Sequence, residues 1–309
     1  MLQGVGRYLT VFLRGMAMGA ADVVPGVSGG TIAFITGIYG ELIDSLRSID
    51  HRALQCLWQK GIKAAWNHIN GNFLLAVFAG VLLSMLSLAK LVTWCLEQQP
   101  ILVWSGFFGL VLASALVLLR HVPRWTLWRG LWLLAGVALA LGVSVLKPSQ
   151  LEPTPLILFG AGAIAICAMI LPGISGSFLL LMMGLYTAVI GALSQLQVLT
   201  LMPFAAGAAV GLLAFSHLLS WLLHRFAAAT MAFLTGVLLG SLNIIWPWKQ
   251  TLESVINRHG ELVPLVQQNL FPHQYAAMTG EASQWLLALG CALSGFVIVV
   301  VIEAGAGKE

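Results

Sequence analysis

Two short clusters of serine, threonine and glycine follow proline–glycine pairs in this chain, and their residue types suit the binding of an anion. The clusters are Ser28, Gly29, Gly30 and Thr31, after Pro25 and Gly26, and Ser175, Gly176 and Ser177, after Pro172 and Gly173. A proline–glycine break starts a new helix, whose first backbone N–H groups lack helical partners and carry partial positive charge. Glycine lets an oxyanion approach these groups, and the hydroxyls add donors. The clusters therefore predict a phosphate site without a P-loop lysine, whereas a structural interpretation needs only a kink and close helix packing.

Two charged residues lie within or beside the apolar run that precedes the first break. They are Arg14 and Asp22. Because a charge inside a membrane costs about 2.5–3.5 kcal/mol on insertion scales, each is a functional hypothesis. We expect Arg14 to bind a substrate phosphate and Asp22 to carry a proton or to orient Arg14. The alternatives are an Arg14–Asp22 structural pair, or an arginine that reaches the membrane interface.

Both clusters belong to a longer internal repeat. The segment PGVSGGTIAFITGIYGELI, from Pro25 to Ile43, matches PGISGSFLLLMMGLYTAVI, from Pro172 to Ile190, at an offset of 147 residues. Further identities occur at an offset of 127, where Gly80, Trp94, Gly109 and Ser114 match Gly207, Trp221, Gly236 and Ser241. Each half has three long apolar runs and one motif pair, and an odd number of spans turns the second copy upside down. We predict two inverted-topology repeats, at about 5–146 and 152–247, within a single membrane domain of residues 1–309.

The composition fixes the fold class as an all-α integral membrane protein, a helical bundle. Hydrophobic residues make up 59% of the chain and charged residues 8%, against roughly 25% charged residues in soluble domains. The apolar runs cover about 8–21, 29–46, 73–96, 101–119, 130–146, 155–171, 174–193, 198–223, 226–246 and 285–302. We expect one apolar helix after each break. The runs on either side of a break form either a re-entrant pair or two full spans.

The distribution of charge predicts the topology and excludes other classes of protein. With the N-terminus and C-terminus in the cytoplasm, eleven Lys and Arg residues fall inside or near the inner face and three fall outside. The basic residues form no patch, so we expect no nucleic-acid partner. The cysteines show no metal-binding spacing and there is no hydrolase motif or P-loop, so we expect no metal, no cofactor and no enzyme activity. Segment 247–284 is predicted to be extramembrane, and the final helix 285–302 either stands outside the repeat or replaces an eroded run.

The doubled signature, PGVSGGT…GIYGELI with PGISGSF…GLY, resembles a bacterial family associated with undecaprenyl phosphate translocation. This resemblance covers nearly the whole chain. It implies flipping of undecaprenyl phosphate across the cytoplasmic membrane, so that the carrier lipid of cell-envelope synthesis is recycled. The resemblance carries over Asp22, Tyr39, Glu41 and Tyr186, for which we predict coupling or gating roles, although an ordinary interfacial carboxylate is the favoured alternative for Glu41. The alternatives are a transporter of a small soluble anion and an integral-membrane lipid-phosphate enzyme.

Overall fold

The computed structural model describes residues 2–22, 28–145, 149, 151–195, 197–256 and 262–306. Within these ranges the chain forms sixteen α-helices and one antiparallel β-hairpin. The first helices are α1 (Leu2–Asp22), α2 (Gly29–Ile35), α3 (Tyr39–Arg47), α4 (His51–Lys60), α5 (Ile62–His68), α6 (Gly71–Ser87), α7 (Ala89–Gln98), α8 (Pro100–His121) and α9 (Leu127–Ser144). They are followed by α10 (Pro155–Ile170), α11 (Gly176–Met182), α12 (Tyr186–Ser194), α13 (Val198–Arg225), α14 (Ala227–Ser241), β1 (Lys249–Ile256), β2 (Leu262–Asn269), α15 (Pro272–Thr279) and α16 (Trp285–Ala306).

The outer surface of the bundle is apolar, as a lipid-facing surface must be. Leu127, Leu156 and Leu199 are more than four-fifths exposed, at 85%, 81% and 87%. Among the described helices, α8, α9 and α13 are long and apolar enough to cross a bilayer alone, and α10, α14 and α16 are shorter apolar helices. Helices α5 and α6 qualify together as a span bent by 72°, and α11 and α12 as one bent by 116°. Exposed apolar faces of this size need lipid around them, so the predicted fold class, an all-α integral membrane protein, is confirmed.

Glycines hold two of the main helix pairs at close range, and they do so at matching positions. Helix α1 packs on α6, and α10 packs on α13. A Cβ atom at Gly80 would overlap the backbone carbonyl of Phe12, and one at Gly207 would overlap that of Phe159. The two glycines differ by 127 positions and the two phenylalanines by 147, which are the two offsets of the sequence repeat. The two halves therefore use the same packing contact.

The other two main pairs join one half of the chain to the other. Helix α9 packs on α14, and α16 packs on α8. Gly136 of α9 lies against the carbonyl of Phe233, and Gly295 of α16 lies against the carbonyl of Gly106. Residues 106 and 233 are again 127 positions apart. This matched packing favours the interpretation in which α16 replaces the eroded run of the second half, while the inverted orientation of the halves stays a prediction.

The expectation of one continuous helix after each break is wrong. Helices α2 and α11 have seven residues each and end at a glycine with positive φ, which is +76° at Gly37 and +72° at Gly184. The Ile38 N–H donates to the Ala33 carbonyl at 3.0 Å and the Gly37 N–H to the Phe34 carbonyl at 3.3 Å. These two bonds are a Schellman ending, which glycine in the left-handed region permits. The same pair of bonds recurs 147 residues later, so each motif continues through a second helix, α3 or α12.

The predicted extramembrane segment contains a β-hairpin that the sequence analysis did not foresee. Strands β1 and β2 pair from Lys249 opposite Asn269 to Ile256 opposite Leu262, with an irregular register near Glu253. The first strand is fixed at its start, where the Lys249 ammonium lies 5.0 Å from the ring centre of Trp104 in α8. The hairpin thus packs against the end of a long apolar helix.

Candidate functional site

The helices that follow the first proline–glycine pair are in direct contact with the region of the second pair, although the two are far apart in sequence. The Thr31 hydroxyl of α2 accepts a hydrogen bond from the backbone N–H of Gly173 at 2.8 Å. The Tyr39 hydroxyl of α3 donates to the carbonyl oxygen of Ile170, at the end of α10, at 3.1 Å. Thr31 and Tyr39 are almost fully buried. The predicted site residues of the first copy therefore meet the second copy in the interior of the bundle.

Ser28 makes a third connection between the two regions. Its hydroxyl donates to the carbonyl oxygen of Met169 at 3.1 Å and accepts from the N–H of Gly30 at 3.1 Å. The residue is the N-cap of α2, in extended conformation, and is 1% exposed. A serine at this position satisfies one of the first amides of the helix, as N-cap serines commonly do. Ser28 therefore caps α2 and joins it to α10 at the same time.

The first amides of α2 are all occupied by acceptors of the protein itself. The Gly29 N–H donates to a carboxylate oxygen of Asp22 at 2.6 Å, the Gly30 N–H to Ser28 as described, and the Thr31 N–H to the Ser28 carbonyl at 2.9 Å. Asp22 ends α1, so its side chain spans the break and lies at the positive end of the next helix. A carboxylate stands where the sequence predicts a substrate oxyanion. In this conformation Asp22 occupies the first of the two predicted phosphate-binding clusters.

The corresponding amides of α11 are not paired in this way. Within the described part of the chain, the N–H groups of Gly176, Ser177 and Phe178 have no acceptor. The Ser175 and Ser177 hydroxyls hydrogen-bond to each other at 2.8 Å, and Ser175 does not cap the helix with its side chain. Backbone donors and two hydroxyls at the start of a helix are the groups that bind a phosphate oxygen in many proteins.

One substitution between the copies accounts for this difference. A Cβ atom at Gly29 would lie 2.5 Å from a carboxylate oxygen of Asp22, and one at Gly176 would lie 2.6 Å from Cγ of Met169. Both pairs keep the offset of 147 residues. Met169 thus occupies the place of Asp22 in the second copy. A thioether side chain cannot accept a strong hydrogen bond, so it leaves the amides free.

The structure separates Arg14 from Asp22 and gives Glu41 a partner. Eight residues along α1 place Arg14 about 12 Å from Asp22 at about 1.5 Å per residue. Among the described residues Arg14 forms no hydrogen bond or ion pair, so the alternative of an Arg14–Asp22 pair is not formed here. Glu41 instead accepts from Arg7 at 2.6 Å and from the Asn70 amide at 2.9 Å. Sequence reasoning missed this cluster, because its members come from α1, α3 and the turn before α6.

Some of the remaining predicted residues lie within the described residues and some do not. Pro25 and Gly26 lie outside the described residues. Pro172 and Gly173 are buried, and Gly173 has a φ of +86°, which requires glycine at this turn. Tyr186 is partly buried and packs against an apolar cluster shared by α10, α11 and α12. The second break is therefore a real turn of the backbone, as predicted.

A cavity that the sequence analysis did not predict lies beside α3. Its volume is about 330 Å³. It is lined by Phe34, Gly37, Tyr39, Gly40 and Asp44 on one side and by Leu223, His224 and Met231 on the other. The Ser220 hydroxyl of α13 donates to the Asp44 carboxylate at 2.6 Å and accepts from the Arg47 guanidinium at 3.1 Å. A polar network thus joins the first motif to α13 beside the cavity. The only signal in the sequence is the run of polar residues that ends α3.

The comparison with protein families identifies the chain. The family model described as undecaprenyl phosphate translocase-like matches residues 18–263. The chain belongs to this family. The matched region includes both breaks and every predicted site residue except Arg14. In the described residues of this translocase-like chain, no group of three His, Cys, Asp or Glu side chains is placed to hold a metal.

Two curated relatives carry the same name. The chain is 52% identical over 302 residues, 98% of each protein, to the polyprenyl-phosphate transporter of Vibrio cholerae. It is 32% identical over 253 residues, 76% of this chain and 85% of the relative, to the polyprenyl-phosphate transporter of Staphylococcus aureus. No solved structure is significantly similar. Together with the apolar helices, these relatives establish the translocase-like chain as a multi-pass membrane protein related to transporters rather than to enzymes.

Proposed function

We propose that this protein flips undecaprenyl phosphate across the bacterial cytoplasmic membrane and so returns the carrier lipid for cell-envelope synthesis. The observation that carries the proposal is the 52% identity with a polyprenyl-phosphate transporter across 98% of both chains. The asymmetry of basic residues supports a cytoplasmic N-terminus and C-terminus. The protein needs no cofactor for this role, and its partners are the polyprenyl phosphate and the surrounding lipid.

The substrate presents two chemically different parts to the protein. Its phosphate head needs hydrogen-bond donors and positive potential to leave water, whereas its prenyl tail can remain in lipid. We assign the head to the contact between the two breaks, with Ser175, Gly176 and Ser177 as donors from α11. Their amides and hydroxyls have no competing carboxylate, and this supports the assignment.

In this proposal the first cluster binds the phosphate head when the phosphate replaces Asp22 as the hydrogen-bond acceptor. We infer that Ser28, Gly29, Gly30 and Thr31 bind phosphate only when Asp22 leaves the Gly29 amide, because two anions cannot share the same donors. Asp22 is then a gating residue, and Arg14, about 12 Å along α1, is the cation that the head meets next. Tyr39 and Tyr186 lie at the starts of α3 and α12 and respond to the movement of the two motifs. Inverted repeats supply the two related conformations that alternating access requires.

A flipping assay with purified protein tests this proposal. Proteoliposomes with undecaprenyl phosphate in both leaflets are exposed to an impermeant phosphatase, and the fraction of lipid phosphate consumed is followed with time. Half-consumption in empty liposomes and full consumption with the protein is the expected result. Phosphate release without added phosphatase would indicate a lipid-phosphate enzyme. Uptake of labelled inorganic phosphate without lipid flipping would indicate a transporter of soluble anions.

The double variant Ser175→Ala, Ser177→Ala tests the assignment of the site. Among the described residues these hydroxyls hydrogen-bond only to each other, so their removal leaves no buried donor without a partner. If they bind phosphate, each lost contact lowers head-group affinity roughly ten- to 100-fold, the equivalent of about 1.5–3 kcal/mol. If the cluster serves only packing, the double variant flips lipid at the wild-type rate.

A further inference from the structure

The chain between α3 and α6 folds back on itself, and we call residues 50–70, with helices α4 and α5, the connector hairpin. It reverses at Gly61, where φ is +82°. Its two ends meet, because the carboxylate of Asp50 and the imidazole of His68 are 3.6 Å apart. The same carboxylate accepts two backbone amides of α4, at 2.9 and 3.1 Å, and so caps that helix. The connector hairpin is thus a defined structure that projects from the bundle.

One face of this hairpin is apolar and uncovered. Helix α4 buries none of its residues against the rest of the described chain. Leu54 is 58% exposed and Trp58, one turn later on the same face, is 83% exposed. Ile62, just past the turn, is 77% exposed. A tryptophan and an isoleucine at the tip of a projecting hairpin are the side chains that favour a membrane interface.

Positive charge surrounds this apolar tip. Lys60 and Lys63 flank the turn, Arg52 lies in the first turn of α4, and all three are exposed. The hairpin has a single acidic residue, Asp50, and its carboxylate is engaged at the base as described. A basic, apolar surface of this kind is complementary to an anionic lipid surface, since polybasic segments are attracted by anionic headgroups.

The connector hairpin is a short arm. Its base is held to the bundle, where Asn70 donates to Glu41 of α3 and Trp66 donates to Asn72 of α6 at 2.8 Å. Helix α4 has ten residues and is therefore about 15 Å long. A tip on so short an arm stays within reach of the headgroup layer, and interfacial helices bury their apolar side by about 5–10 Å.

We propose that the connector hairpin is a membrane-surface anchor, which inserts Trp58 and Ile62 among the headgroups of an anionic leaflet while Lys60 and Lys63 contact lipid phosphates. This assignment does not depend on the transported lipid. It ties an anionic leaflet to α3, because the base of the hairpin is bonded to Glu41 in that helix.

Site-directed fluorescence on the full chain tests the anchor. The protein, with its four native cysteines replaced, carries a single NBD probe in nanodiscs that contain doxyl-labelled lipid as the quencher. The probe is attached after Trp58→Cys or, as a matched control, after Gln59→Cys. Gln59 is an exposed neighbour at the same distance from the base but about 100° around the helix. We expect strong quenching at 58 and little at 59 in discs with phosphatidylglycerol.

Changes in lipid charge and salt concentration test whether electrostatic attraction holds the hairpin tip at the membrane. Quenching at 58 should be lost in discs of phosphatidylcholine alone, near 1 M salt, where the screening length is about 3 Å, and in the Lys60→Glu, Lys63→Glu variant. Equal quenching at positions 58 and 59 would overturn the insertion. Quenching at 58 that ignores lipid charge would overturn the role of the lysines. A probe that is unquenched in discs but shielded from aqueous quencher in native membranes would assign the face to a protein partner instead.

Discussion

Gly30 of α2 lies against the backbone at the end of α10, and an alanine at this position is expected to disturb the contact. A Cβ atom at Gly30 would lie 2.7 Å from the carbonyl oxygen of Ile170 and 2.9 Å from that of Met169. Ordinary contact begins at 3.4 Å. Helix α2 and the end of α10 must therefore separate by about 0.7 Å, a shift of backbone against backbone that no side-chain rotation can absorb.

The cost of this shift follows from the contacts around it. Overpacking of a tight core costs roughly 1–3 kcal/mol. The separation also weakens the Thr31–Gly173 and Tyr39–Ile170 hydrogen bonds, which are worth about 0.6 kcal/mol each in a membrane protein. Gly30→Ala should therefore destabilise the fold by roughly 2–4 kcal/mol. It should also slow lipid flipping, because the contact that it loosens joins the two motifs.

Gly40→Ala is the matched control. Gly40 lies in α3 of the same motif, and a Cβ atom there would meet nothing within 4 Å. Alanine in an open helical position is neutral or stabilising by up to about 1 kcal/mol. Unfolding by SDS in mixed micelles, followed by circular dichroism, measures both variants, and the proteoliposome assay measures flipping. Identical unfolding curves for the two variants would refute the backbone contact, and a destabilised Gly30→Ala that flips normally would refute its part in transport.

Three smaller perturbations probe the contacts of the site and its surroundings. Thr31→Val removes the acceptor of the Gly173 N–H with little change of shape, so SDS unfolding should show a free energy of unfolding lower by about 0.6–1.7 kcal/mol. Thr31→Ser should restore the wild-type value. A Thr31→Val variant as stable as the wild type would contradict the hydrogen bond. Tyr39→Phe removes only a donor and should cost about 0.6 kcal/mol by the same measurement, while a loss several times larger would mean that the hydroxyl has a further role. Arg7→Ala breaks a half-exposed pair with Glu41 and should change stability by less than about 1 kcal/mol; an abolished flipping rate would place Arg7 in the transport path.

The sequence predicts the two motifs well, because short local patterns of residues determine their turns and helix ends. The pattern of proline, glycine, serine and glycine around Ser28 and Ser175 marks each break, and the structure has a positive-φ turn at Gly173. The helix bounds of the two motifs agree residue for residue at the offset of 147. The helix ends at Gly37 and Gly184, which have positive φ, could also have been predicted, since both glycines are part of the repeated signature.

The features that the sequence did not predict depend on contacts between residues that are far apart in the chain. The hydrogen bond from the Gly29 N–H to Asp22 depends on the packing of α1 against α2, which no local pattern encodes. The Arg7–Glu41 pair and the Asp44–Ser220 network join helices that are 34 and 176 residues apart. The β-hairpin after Pro247 has an irregular register and a proline, Pro264, in its second strand, so it lacks the clean alternation that marks a strand.

The pairing of α8 with α16 has a consequence for the synthesis and assembly of the protein. The seam of α8, where Gly109 lies against Ala292, has no partner until residues 122–284 have been synthesised. At about 5–20 residues per second this delay lasts on the order of 10–30 s. Throughout that time a close-packing, glycine-lined face stands open to lipid, to the insertion machinery and to membrane proteases. Helix α16 therefore closes this seam, and fragments that end before it should be removed by cellular quality control, however many earlier helices they contain.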